Sequence, residues 1–215
     1  MGDQNTESET LQSEVATVVE EGVDIRARVR DLTMKALLNH ELDFAGIREV
    51  MGAVSEGISI GAKKHATNVK GALSDGFSGM DDALKKSAEA THLALRQLAS
   101  QGKDFTETDL RDALHDLKAL EEDFLSTVSK VAEKAGDKVR QELGDLVSHA
   151  RRAGTDTGAV VASTLNDLGN RLGATAKEGG QETTGAAREI KKRLSLLASG
   201  VLLGMADALD KKSKS

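Results

Sequence analysis

The sequence predicts an all-α fold, an elongated bundle of long amphipathic helices. Three observations predict it. The chain has 215 residues and no Pro, the strongest helix breaker, so its composition permits long uninterrupted helices. It has no Trp or Tyr and only four Phe, which leaves Ala, Leu and Val to build a thin core. Its apolar residues recur at helical periods, seven in some stretches and eleven in others.

Residues 1–10 carry acids and few apolar side chains and read as a disordered acidic tail. From Leu11 the apolar or small positions Leu11, Val15, Val18, Gly22, Ile25, Val29, Leu32 and Ala36 alternate by four and three. That heptad seam predicts a first helix over 8–39 that wraps a partner helix and lapses at LNHELDF. The second helix is predicted over 45–100 by a repeat of eleven. Ile58, Val69, Met80 and Thr91 form one column; Ala62, Leu73, Leu84 and Leu95 a second; Ala66, Phe77, Ala88 and Ala99 a third. Three turns span nearly eleven residues, so the stripe stays almost straight along an element roughly 80 Å long.

The break SQGKDFTETDL follows, with Gly102 suited to end a helix and Thr106 with Asp109 to start one. Its Asp104–Phe105 echoes Asp43–Phe44 in the earlier break, a faint internal duplication. The third helix, 106–152, carries Leu110, Leu114, Leu117, Phe124, Val128 and Val131 on a heptad stripe interrupted at Glu121. From Val139 the elevens return: Val139, Ala150, Val161, Leu172 and Leu194 in one column, Leu143 and Leu165 in another, Leu146, Leu168 and Val201 in the third. They predict a fourth helix over 156–210. The chain thus divides into the tail, a helical hairpin or bundle over 11–152, and a long amphipathic helix with a basic end over 153–215.

Glycine complicates this reading. There are 21, and each inside a helix costs about 1 kcal/mol relative to Ala. Gly57 and Gly61, Gly154 and Gly158, Gly169 and Gly173, and Gly200 and Gly204 are spaced by four, which places each pair on one face where another backbone can approach closely. Helices weakened in this way need cover. The side chains expected to supply it are Ile58, Val69, Leu73, Phe77, Met80, Leu84, Leu95, Leu143, Leu165, Leu168, Leu172, Leu194, Leu197, Val201 and Leu202.

Catalytic patterns are scarce. GISIG, Gly57 to Gly61, spells a nucleophile elbow around Ser59, but that motif works at a strand-to-helix turn, and here it sits inside a helical repeat. His40, His65, His92, His115 and His149 form no helical ligand pair, and no Cys can complete a metal site. Asp81–Asp82 and Glu121–Glu122 read as solvated helical acids. No catalytic residue, metal ligand, cofactor or small-molecule substrate is expected, and the chain reads as a non-enzyme. The net charge of −6 argues against nucleic acid as partner.

The start of the chain has no basic and apolar leader pattern, so a cytoplasmic protein is expected, with Gly2 and Thr6 only loosely fitting a myristoylation pattern. The uncharged run 194–206 is too short to span a bilayer, which takes about 20 residues. Covering its Leu, Val and Met side chains could contribute on the order of 10–20 kcal/mol gross. It is therefore expected against other helices or on an apolar surface, with lysines on both flanks reaching water or anionic groups.

A Pro-free, Cys-free chain with long eleven-residue repeats over about 47–209 resembles the phasins, bacterial proteins that coat polyhydroxyalkanoate granules and oligomerise through helices. The stretch ATAKEGGQETTGAAREI resembles late-embryogenesis-abundant proteins, and the periodicity is also similar to that of apolipoproteins. The heptads and the concentrated apolar C-terminus depart from the late-embryogenesis pattern. The resemblance implies a homo-oligomer at an inclusion or membrane surface and carries over no site residue. The expected function is a non-catalytic protein that self-associates and coats a storage granule or lipid. A scaffold subunit of a bundle or filament and a helical stress protectant are the alternatives.

Overall fold

A computed structural model describes residues 2–39, 44–65, 68–101, 107–175, 192, 194 and 196–203. Among them there is no strand. The elements are α1 (Gly2–Glu21), α2 (Ile25–Asn39), α3 (Phe44–Lys64), α4 (Val69–Gln101), α5 (Glu107–Lys134), α6 (Asp137–Ala153) and α7 (Asp156–Thr175), followed by a helical stretch over 196–203.

Each of the first three expected helices is divided by a local signal. The heptad of the first does not run through Gly22, where φ is +72°, and Asp24, where φ is +48°. Gly and Asp tolerate that left-handed region, and the chain turns there. In the second, Asn68 accepts the Gly71 N–H at 3.0 Å through its side-chain oxygen and so caps α4. The 45–100 element is therefore two helices folded on each other, and the longest helix, α4 with 33 residues, is about 50 Å long. Gly136 divides the third. Residues 2–10, expected as a disordered tail, are helical instead.

Ion pairs and hydrogen bonds mark how the helices run. Gln12 donates to Glu56 at 3.0 Å and Lys64 meets Glu20 at 2.9 Å, so α1 and α3 are parallel. Arg48 with Asp123 at 2.7 Å and Lys134 with Glu56 at 3.8 Å make α5 parallel to α3. On α4, Lys70, Lys85 and His92 meet Glu142, Asp156 and Asp167 in that order, so α6 and then α7 run alongside α4 in its direction. Within the second hairpin, Ser55 reaches Met80 while Ile58 faces Gly76, which makes α3 and α4 antiparallel. The Gly22 turn abuts His65, and Gly136 abuts Lys63, so the three hairpin tips lie together. The result is three helical hairpins stacked side by side. One layer holds α1, α3 and α5; the other holds α2, α4 and the α6–α7 pair.

One continuous core joins all seven helices with Leu194, Ala198 and Leu202. α4 is its centre, packed on α2, α3, α6 and α7. A helix covered on most sides has little room for large residues, and α4 buries Ala72, Ala83, Ala88, Ala90 and Ala94 alongside its leucines. Buried Thr33, Thr91 and Thr164 return their hydroxyls to the carbonyls of Val29, Ser87 and Val160, so no water is needed to satisfy them.

Candidate functional site

The apolar columns turn inward. Ile58, Leu73, Met80, Leu84, Leu95, Leu143, Leu168 and Leu202 are fully buried, and Val69, Phe77 and Leu194 nearly so. Leu165, Leu197 and Val201 are half-buried against the same core. The side chain of Leu172 lies outside the described residues. The cover that these helices need is thus supplied, for the described residues, by other helices of the same chain.

Ser59 lies in the middle of α3 and is half-buried, with helix on both sides and no strand to present it. Its two glycines have a packing task. A Cβ at Gly57 would stand 2.6 Å from the Gln12 carbonyl oxygen, and one at Gly61 2.4 Å from that of Ala16. The backbones of α1 and α3 touch along this seam, which only glycine permits. Gly79 does the same where α2 meets α4, 2.4 Å from the Arg26 oxygen, and the spacing-by-four rule passes it over because it has no partner at that distance. The other pairs differ. Gly154 has open space around it and a φ of +83°, so it ends α6 rather than packing closely. Gly158 leaves room for the Glu121 carboxylate, and Gly200 faces open space. Gly169 and Gly173 fall within α7 where side-chain surroundings are not described, and Gly204 lies outside the described residues.

The acids read as solvated have specific partners. Asp82 forms a two-point pair with Arg26 at 2.7 and 2.9 Å, which raises the Arg26 guanidinium further. Asp81 points to the start of α7. Its two carboxylate oxygens accept the Asp156 N–H at 2.9 Å and the Thr157 N–H at 3.1 Å, and its carbonyl accepts the Thr157 hydroxyl at 3.1 Å. A helix begins with unpartnered N–H groups, and here a side chain from a neighbouring helix satisfies two of them. Thr155 provides the local cap by accepting the Gly158 N–H at 2.8 Å, and donates its own hydroxyl to Glu121 at 3.0 Å. Glu121 therefore interrupts the α5 stripe because it reaches across to the α6–α7 break. Burial pushes the Asp81 carboxyl above the usual carboxylate range, against the hydrogen bonds from Thr157 and Asp156 that pull it down. A cleft of about 200 Å³ lies beside this break, and Phe77, Phe124, Val128, Leu146, Asp81 and Thr155 are among the residues that line it.

Of the histidines, His92 lies 3.8 Å from Asp167, His115 and His149 are exposed, and His65 packs on the Gly22 turn. His40 is outside the described residues. Among the described residues no group of three His, Cys, Asp or Glu could hold a metal ion.

The C-terminal stretch divides its apolar residues between two sides. Leu194, Ala198 and Leu202 enter the core, whereas Leu196 and Leu203 are 53% and 52% exposed. Seven residues apart, these two leucines share one face. Met205 and Leu209 lie outside the described residues. Among the described residues no helix is long and apolar enough to cross a membrane.

No curated protein and no solved structure matches the chain. A family of unknown function, DUF6781, matches over residues 1–211. With nearly the whole length covered, from the first hairpin through the α6–α7 break to the half-docked C-terminal stretch, the chain belongs to that family.

Proposed function

We propose that the protein is non-catalytic, self-associates, and contacts an apolar surface, a storage granule or lipid, at which it would lie on the cytoplasmic side. The observation that carries this reading is the outward leucine pair, Leu196 and Leu203, on a short helix whose other face is held in the core. Single exposed leucines are ordinary. Two of them on one face, two turns apart with Gly200 between, form an apolar strip that a second copy or a surface can cover. The Gly57–Gly61 seam accounts for the one catalytic pattern in the chain, which supports the non-enzyme reading.

The test is co-sedimentation with phospholipid vesicles and with polyester particles. Leu196→Ser with Leu203→Ser leaves the core untouched and is expected to move the protein to the soluble fraction while its melting is unchanged. Retained binding by that variant contradicts the reading. The inward-turned columns favour a second reading, a scaffold subunit without a lipid role. In that case neither surface binds the protein, and the same two substitutions dissolve an oligomer measured by sedimentation equilibrium.

A further inference from the structure

The C-terminal helical stretch is divided lengthwise into two faces. Leu194, Ala198 and Leu202 join the core, whereas Lys192, Leu196, Gly200 and Leu203 are exposed. Spaced by four, four and three, these last residues share one face of a helix. A Cβ at Gly200 would have nothing within 4 Å of it, so the middle of the face is open as well. The other exposed large apolar residues among those described, Val23, Ile60 and Leu93, each belong to a different part of the chain. Only here do two of them fall on one helix face.

The order of residues on this face reads nearly the same from either end. In the sequence Lys192 stands four positions before Leu196 and Asp207 four positions after Leu203, with Ser199 and Gly200 at the midpoint. Turned end for end, the strip sets leucine against leucine, small residue against small residue and lysine against aspartate. A two-fold axis performs that reversal, since it brings the same patch of two copies together with their directions opposed. A parallel pairing would instead set Lys192 against Lys192 and Asp207 against Asp207, and facing like charges repel. The match ends there, because the next turn outward sets Glu189 against Asp210, which confines the contact to 192–207.

We infer that this strip is the self-association surface: in solution a second copy lies antiparallel along it. Leu196 of each copy packs on Leu203 of the other, Gly200 lies beside Ser199 at the axis, and Lys192 pairs with Asp207. This rests on the self-association proposed above and names its face and register. Glycine already serves such a contact within the chain, where α1 and α3 meet at backbone distance along Gly57 and Gly61. Gly200 offers a second copy the same close approach. With two leucines from each copy the contact is small for a protein interface, below about 1,200 Å², so the dimer is weak and forms with rising concentration. At a granule or lipid the same leucines exchange the second copy for that surface.

The chain has no cysteine, so single cysteines report the register without interference. Sedimentation equilibrium fixes the concentration at which wild type is a dimer, and at that concentration Leu196→Cys and Leu203→Cys are oxidised separately and mixed. A disulfide needs Cα atoms within about 7 Å, which the antiparallel register allows only between position 196 of one copy and 203 of the other. The mixture is expected to give a covalent dimer on a non-reducing gel, and each variant alone to stay monomeric. Lys192→Glu is expected to weaken the dimer, and adding Asp207→Lys to restore it, with high salt removing both effects. Cross-linking of either variant with itself as readily as in the mixture overturns the register. Weakening without rescue overturns the pairing of Lys192 with Asp207. A wild-type dimer with no cross-link in the mixture overturns the strip and leaves self-association standing at another face. If wild type is a monomer at every concentration, self-association itself fails and this inference falls with it.

Discussion

Gly61→Ala gives the sharpest test of how the stack is held. In a helix interior, replacing Gly with Ala is worth about 1 kcal/mol in favour of the variant. At Gly61 the new Cβ would stand 2.4 Å from the Ala16 carbonyl oxygen and 2.7 Å from the Val19 Cβ. Neither atom is the tip of a flexible side chain, so α1 must move by about 1 Å to restore ordinary contact. Overpacking of this kind costs about 1–3 kcal/mol, and contact with backbone places it at the upper end. The net expectation is a loss of about 1–2 kcal/mol. Gly144→Ala is the control, an exposed position within α6 with nothing within 4 Å of its Cβ, and is expected to stabilise by about 1 kcal/mol. For a chain of this size, about 2–4 °C per kcal/mol, the two variants should melt roughly 4–12 °C apart, on opposite sides of wild type. The assay is urea or thermal unfolding followed by circular dichroism. If Gly61→Ala stabilises as Gly144→Ala does, α1 and α3 do not meet at this seam.

Three further expectations concern Asp81, the C-terminal stretch and the ion pair of Arg26 with Asp82. Because the Asp81 pKa is raised by burial, its contribution to stability is fully present below its ordinary 3.8 and is lost as pH rises through the raised value. Asp81→Asn has no such loss, so urea unfolding should show the variant gaining on wild type as pH rises from acid toward neutral; a constant difference contradicts the raised pKa. Leu202→Ala removes a fully buried side chain and should cost about 2–5 kcal/mol, whereas Leu203→Ala, half exposed one residue away, should cost far less. Equal losses in unfolding experiments would mean that the short helix is not docked by the face described. Arg26→Ala breaks a largely exposed pair with Asp82 and should cost less than about 1 kcal/mol at moderate salt. A larger loss would make ion pairs, and not the glycine seam, the main tie between α2 and α4.

The helical class and the inward face were legible because both follow from periodicity. The columns of Ile58, Leu73 and Leu84 are core because a stripe of period eleven is a face of a helix whatever that face meets. Periodicity is silent about folding back. A turn that preserves register, as at Asn68, looks like continuous helix when only apolar spacing is read, although Thr67–Asn68 ahead of Val69 is an ordinary start signal. Gly22 fits the heptad seam by spacing alone, because a small residue suits a seam as well as a turn. The pairing of Asp81 and Glu121 with the start of α7 was not legible, since the partners are 75 and 34 residues away and depend on which hairpins are neighbours. Glu121 did leave a sign, a charged residue breaking an otherwise apolar stripe.

The central claim is that the free chain covers its own stripes and needs no second surface to be helical. Far-UV circular dichroism of the free protein over a wide dilution series tests it most directly, repeated with vesicles present. High helicity that neither falls on dilution nor rises with lipid is the predicted result. Low helicity in dilute buffer that recovers only on lipid or at high concentration would contradict it.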